Sequence, residues 1–234
     1  MNIAENVSLV KARIAAAAAR AGRGADEIVL VAASKTNDAS RVREAIAAGV
    51  TVCGENRVQE MLQKAEQGAY DGAELHFIGH LQKNKVRRVV GLAALIHGAD
   101  SLSLLRAIDD AAAAKGLVQD LLLEINVAAE PSKSGFAPEE IPSALAFAAE
   151  LRNIRVRGLM AVPPICAAGE ENRRYFEIIK QLFIDNCHKK YDNVHMDFMS
   201  MGMSGDFETA IECGANMVRI GTAIFGQRVY PGRS

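Results

Sequence analysis

Eight short apolar runs, the first seven each followed by a segment of helical period, constrain this chain more than any other feature. The runs cover residues 29–34, 51–55, 75–79, 95–97, 120–126, 156–160, 194–199 and 217–220. The first, Val29-Leu30-Val31-Ala32-Ala33-Ser34, is apolar on both faces, the pattern of a strand buried in a parallel sheet. Helical spacing fills the gaps at 40–48, 57–67, 85–88, 101–116, 139–151, 171–187 and 207–213, and an extra helix carrying Ile3, Val7, Val10, Ile14 and Ala17 precedes the first strand. In the 57–67 segment the inward positions read as Val58, Leu62 and Ala65. No linker interrupts the alternation, so residues 1–234 read as one domain, an α/β (β/α)8 barrel of the TIM type. An open doubly wound sheet is the alternative, disfavoured because no G-x-G-x-x-G turn follows the first strand.

Composition narrows the setting. Half of the 234 residues are hydrophobic, enough for a substantial core, and a net charge of −1 argues against bulk attraction to nucleic acid or an anionic membrane. No apolar stretch approaches the roughly 20 residues of a spanning helix, and no cleavable leader follows Met1. Cys53, Cys166, Cys187 and Cys213 have no paired spacing and suit reduced thiols. We therefore expect a soluble cytoplasmic protein, a monomer or a weak dimer.

In such a barrel the residue after each strand reaches one shared rim, where barrels keep their chemistry. That gathers Lys35, Glu55-Asn56, His80, Asn126, residues 160–163, residues 200–204 and Gly221-Thr222. A lysine amine in a partly desolvated mouth can attack an aldehyde, although a lysine after a strand is more often merely exposed. The small and hydroxyl residues from Ser200 to Gly205 lead into a helix N-terminus, and Gly221-Thr222 follows the eighth strand, the usual places for a phosphate in a barrel. Arg219 alternates onto the same face as Gly221, where it faces either a ligand or a carboxylate such as Glu55 or Asp197. An aldehyde for Lys35, a phosphate for the two turns and a ring acceptor for Arg219 together describe pyridoxal 5′-phosphate (PLP).

Seven segments carry a resemblance over the whole chain. They are Ala33-Ser34-Lys35-Thr36, the run from Gly54 to Glu60, His76-Phe77-Ile78-Gly79-His80-Leu81-Gln82, Lys133-Ser134-Gly135, Gly158-Leu159-Met160, the run from Ser200 to Ser204, and the run from Arg219 to Gly226. In this order they resemble the pyridoxal phosphate homeostasis proteins, the YggS/PROSC family. The resemblance implies a barrel like the N-terminal domain of alanine racemase, with PLP on Lys35 as a Schiff base and Arg219 facing the pyridine nitrogen. It further implies Ser200, Ser204, Gly221 and Thr222 around the phosphate, Asn56 near the ring, and a role in keeping free PLP low and passing it to apo-enzymes. The chain departs from the family pattern at Leu75 and Cys53, where aromatic residues are usual, and at Gly98-Ala99, expected to alter the loop before Asp100.

Turnover is not expected. A racemase of this type needs a second acid/base, a tyrosine from a separate β-domain, and no such domain is expected in the short tail after the last strand. Tyr70, Tyr175, Tyr191 and Tyr230 fall in loops or helices. An always-charged arginine opposite the ring nitrogen also weakens the electron sink that amino-acid chemistry needs. A racemase with an unrecognised second base, and a cofactor-free Schiff-base aldolase, stand as alternatives. His76 and His80 could form a metal pair but lack a third ligand. The basic cluster Lys83, Lys85, Arg87 and Arg88 reads as a solvated helix face rather than a docking surface. Lys133 reads either as an ordinary surface lysine or as a transient acceptor of departing PLP.

Overall fold

The computed structural model describes residues 2–130, 133–164, 169–189 and 191–227. Helix α1 (Ile3–Arg20) opens with a reciprocal cap: the Asn2 side chain accepts from the Glu5 amide at 2.8 Å, and Glu5 accepts from the Asn2 amide at 3.1 Å. Its buried stripe is Ile3, Val7, Val10, Ile14, Ala17 and Ala18, as its period requires.

The barrel proper follows as β1 (Val29–Ala33), α2 (Ala39–Ala47), β2 (Val52–Glu55), α3 (Val58–Glu66), β3 (Glu74–Phe77), α4 (Val86–Val89), β4 (Leu95–Ala99) and α5 (Leu102–Ala113). It continues through β5 (Gln119–Ile125), α6 (Ile141–Ala149), β6 (Ile154–Ala161), α7 (Arg173–Asn186), β7 (Val194–Ser200), α8 (Phe207–Glu212), β8 (Met217–Ile220) and α9 (Thr222–Phe225). The eight strands are parallel and close in sequence order, β8 pairing β1 with Val31 opposite Arg219. This is the (β/α)8 barrel that the alternation predicts.

Alternation along the strands sorts the apolar side chains into two bodies. Val31, Ala33, Val52, Ile78, Leu95, Leu122, Met160 and Met217 fill the lumen, while the larger cluster, including Met61, Leu105, Ile108, Phe176 and Phe207, lies between barrel and helices. Each fully buried side chain of this size is worth about 1.5–3 kcal/mol, so the outer layer carries most of the hydrophobic stability. Helix α1 spans the join between the first and last units through Arg13–Glu208 and Arg20–Glu212 pairs, each 2.8 Å, and Asn6 Nδ2 donates to the Ile224 carbonyl at 2.9 Å.

Four local readings change. The basic segment forms only the single turn α4 after a 3-10 turn at Lys83–Lys85. Gly98 and Ala99 belong to β4 rather than to the following loop; a Cβ on Gly98 would lie 2.6 Å from the Gly79 carbonyl, so only glycine lets the strand run on. In α3 the buried positions are Val58, Met61 and Lys64, with Leu62 and Ala65 only partly covered. Residues after Gly221, read as a turn, wind into α9.

Cys53 and Cys213 are buried and Cys187 is exposed, all as free thiols, while Cys166 and Tyr230 lie outside the described residues. Among the described residues no helix is long and apolar enough to cross a membrane.

Candidate functional site at the carboxyl rim of the barrel

Lys35 stands two residues beyond β1, half-buried, on a loop braced from behind. On its amino side the Ser34 carbonyl accepts from Lys64 Nζ at 2.9 Å. Glu55 Oε1, on a wholly buried side chain, accepts from Lys64 Nζ at 2.6 Å, Ser34 Oγ at 2.7 Å and Tyr70 OH at 3.1 Å. Burial and the Glu55 charge push the Tyr70 hydroxyl's pKa upward, and burial takes the neighbouring Cys53 thiol to about 12, so neither ionises near neutrality. On its carboxyl side the Thr36 amide donates to Glu60 Oε2 at 2.9 Å, with Thr36 held at φ 66°. A β-branched residue in the left-handed region is strained by about 1–2 kcal/mol, and the two flanking anchors hold it there.

Arg219 lies on the neighbouring strand, buried inside the barrel and opposite Val31. Its Nη1 donates to the Ser200 carbonyl at 2.8 Å and to Ser200 Oγ at 2.5 Å, and its Nη2 donates to the Ala161 carbonyl at 2.8 Å. Neither carboxylate proposed as its partner reaches it. Glu55 turns outward to Lys64, and Asp197 pairs with Arg157 at 2.5 Å. Burial lowers the Arg219 pKa to about 10, against the pull of Glu124 and Asp206, which leaves it charged at neutral pH.

The loop after β7 is pinned to β8 by an Arg219 amide to Gly202 carbonyl bond of 3.0 Å and a Met201 amide to Met217 carbonyl bond of 3.1 Å. Ser204 Oγ accepts from the Ala223 amide at 3.3 Å, which brings Ser204, Gly221 and Thr222 together at the start of α9. A Cβ on Gly221 would meet the Ala33 carbonyl at 3.2 Å, so the backbone there runs close against β1. Arg41 joins the two sides, bonding Asn37 Oδ1 at 3.0 Å and the Phe225 carbonyl.

Ser200 lies one layer deeper than the phosphate reading requires, wholly buried, with its hydroxyl shared between Arg219 and His97. Asn56 follows β2 beside the Lys35 loop, and its Oδ1 is buried without a partner. Across the mouth, His80 Nδ1 contacts Asp100 at 2.9 Å and Ser134 Oγ at 3.1 Å. His76 instead points to His97 inside the barrel, and among the described residues no group of three side chains could hold a metal. Lys133 Nζ pairs with Glu130 at 2.6 Å, while Lys83, Arg87 and Arg88 are exposed.

Sequence reasoning passed over Glu60, Lys64, His97 and Glu124. Glu124 faces the lumen below the rim; burial and the nearby Asp100 raise its pKa to about 7, against Arg219 and His80. Counting back from Asn126 in steps of two would have placed it there.

A closed parallel barrel with a lysine beyond its first strand and an arginine in its last belongs to a defined class. The family described as alanine racemase, N-terminal domain, matches residues 4–229. The pyridoxal phosphate homeostasis protein of Aquifex aeolicus is 44% identical over 230 residues, covering 98% of this chain and 100% of that protein. Its counterpart in Escherichia coli K12 is 43% identical over 232 residues, covering 98% of each. PipY of Synechococcus elongatus PCC7942, solved with PLP bound, has a TM-score of 0.79 and 30% identity, covering 96% of this chain and all of PipY. The chain belongs to the pyridoxal phosphate homeostasis protein family.

Proposed function

We propose that this protein binds PLP covalently through the Lys35 amine and acts in the cytoplasm as a non-catalytic carrier, limiting free PLP and passing it to apo-enzymes. The observation that carries the reading is the joint placement of a braced Lys35 just beyond β1 and a donor-only Arg219 on β8, with Ser204, Gly221 and Thr222 gathered at one end. PLP supplies an aldehyde carbon, to which the lysine nitrogen bonds with loss of water. The protein holds and orients. Arg219 offers a fixed charge to the ring nitrogen, Asn56 brings an otherwise unpaired acceptor beside the ring, and the first amides of α9 with Ser204 seat the phosphate. Ser200 is assigned to Arg219 rather than to the phosphate.

Carriage without turnover is supported by the placement of the described tyrosines. Tyr70 OH is committed to Glu55, Tyr175 lies in α7, and Tyr191 precedes β7. A second reading, a PLP-dependent racemase, is favoured by one observation: Glu124 is a buried carboxyl with a pKa near neutrality, as a proton-transferring group requires. Incubation of the loaded protein with L- and D-amino acids separates the two, since sustained loss of chirality removes the carrier reading. For binding, the absorption of purified protein is recorded with PLP before and after borohydride, and the modified peptide is identified by mass. The label is expected on Lys35 and absent from Lys35→Ala; an equal yield on another amine in that variant overturns the assignment.

A further inference from the structure

We propose that His76, His97 and Ser200 form a one-directional chain of hydrogen bonds that positions Arg219 toward the cofactor ring and cannot carry protons to it. The inference rests on the reading that Arg219 faces that ring. Its basis is the accounting of donors and acceptors along a line of buried groups on β3, β4, β7 and β8.

A guanidinium only donates. Arg219 Nη1 gives a hydrogen to Ser200 Oγ at 2.5 Å and fills one of its two acceptor positions; the buried hydroxyl hydrogen needs an acceptor of its own, and among the described residues that is His97 Nδ1, 3.1 Å away. His97 Nδ1 is therefore bare, and the ring carries its proton on Nε2. That nitrogen lies 3.0 Å from His76 Nδ1, which must accept in turn. His76 then also carries its proton on Nε2, 3.5 Å from Glu74 Oε2 at the opposite end of the barrel. The donor-only arginine and the need to satisfy the buried Ser200 hydroxyl together assign both tautomers, and every hydrogen points away from the mouth. The chain ends beside a cavity of about 1280 Å³ at the amino end of the barrel, lined by Glu74, His76, Asp120 and Arg157 among others.

Burial pushes both imidazoles below their ordinary range, His76 to about 4, as a chain of neutral rings requires. The charged groups facing the pair are Glu74 on β3, Arg219 on β8 with Glu124 near it, and Asp120 with Arg157 around the cavity. Asp120 is already paired with Arg155 and Arg157, both at 2.7 Å, leaving Glu74 as the acceptor at the chain's end. Passing a proton toward the mouth would require every bond to reverse and Arg219 to accept, which it cannot. The chain holds the guanidinium in place without conducting.

Two measurements test this. In apo wild-type protein with nitrogen-15 histidine, both inward rings are expected as Nε2–H tautomers that stay neutral from about pH 5 to about pH 9. An Nδ1–H ring, or titration near the ordinary value of about 6.5, overturns the chain whatever the protein binds. The second uses His97→Phe and Ser200→Ala, with folding checked by thermal melts. Each is expected to bind PLP about tenfold more weakly, still on Lys35, with cofactor absorption that becomes pH-dependent as the ring nitrogen loses its fixed donor. Wild-type affinity and an unchanged pH profile in folded variants overturn the positioning role. Failure of wild type to label Lys35 instead removes the underlying reading, so the two failures are distinguishable.

Discussion

The two sides of the rim hold their functional cations in opposite ways. Lys35 is braced from outside the barrel by a buried ion pair, Glu55 with Lys64, and a strained residue, Thr36. Arg219 is held from inside by two carbonyls and a hydroxyl, with its countercharges Glu124 and Asp206 at a distance. The bracket beside Lys35 grips the adjacent backbone, at the Ser34 carbonyl and the Thr36 amide. An arginine that never changes charge can be gripped directly, and neutral acceptors hold it without cancelling its charge.

The sharpest way to break the outer bracket is Lys64→Met, which strands the buried Glu55. Removing one partner of a buried pair costs about 3–5 kcal/mol, expected here as a lower urea midpoint at unchanged slope. The double variant Glu55→Gln/Lys64→Met should regain much of that loss, and its failure to do so would show that the Ser34 carbonyl contact matters more than the charge.

The lumen side is probed by pH. The folded state resists protonating His76 until about pH 4 whereas the unfolded chain takes the proton near 6.5, so this stability is present above about 6.5 and lost on descent. Its size is about 3 kcal/mol, and His97 acts in the same direction. Glu124 opposes them: its folded pKa is raised from 4.5 to about 7, so its contribution is present below 4.5 and lost as pH rises through 7, again by about 3 kcal/mol. Urea unfolding across this window should show Glu124→Gln steepening the acid loss and His76→Phe making it shallower; parallel curves would remove both assignments.

The smallest effect is expected at the outer bracket's strained hinge. Thr36→Gly relieves about 1–2 kcal/mol of left-handed strain but adds unfolded-state freedom of about 0.5–1 kcal/mol. The net gain is under about 1.5 kcal/mol, read as a melting temperature a few degrees higher. A lower melting temperature would mean that the threonine side chain contributes packing beyond its backbone shape.

Much of this architecture was legible beforehand because period alone sorts buried strands from amphipathic helices. The eight strands, the leading helix, and the rim positions of Lys35, Ser204 and Gly221 follow from alternation and turn chemistry. What escaped was polar and buried. Lys64 occupies an inward position on α3, but hydrophobic periodicity assigns that face to Leu62 and Ala65, since a lysine belongs in a core only once its partner is known. His97 was read as a strand residue, and its ring has meaning only through His76 and Ser200, contributed by two other strands. Ser200 was placed by its loop motif, yet it is the last residue of β7 and points into the lumen. Pairing across the barrel, rather than residue type, decides such positions.

The pairing of β1 with β8 has a consequence for how the protein comes to life. Lys35 leaves the ribosome long before Arg219, yet β1, which leads to Lys35, and β8, which carries Arg219, are neighbours. Contacts so distant along the chain form late and slowly. The bracket behind Lys35 uses only residues up to Tyr70 and can be assembled while the remainder is still being made. Under the proposed reading, a ligand held by both Lys35 and Arg219 would tie an earlier segment to a later one, and its binding energy would add to the cost of opening the ring.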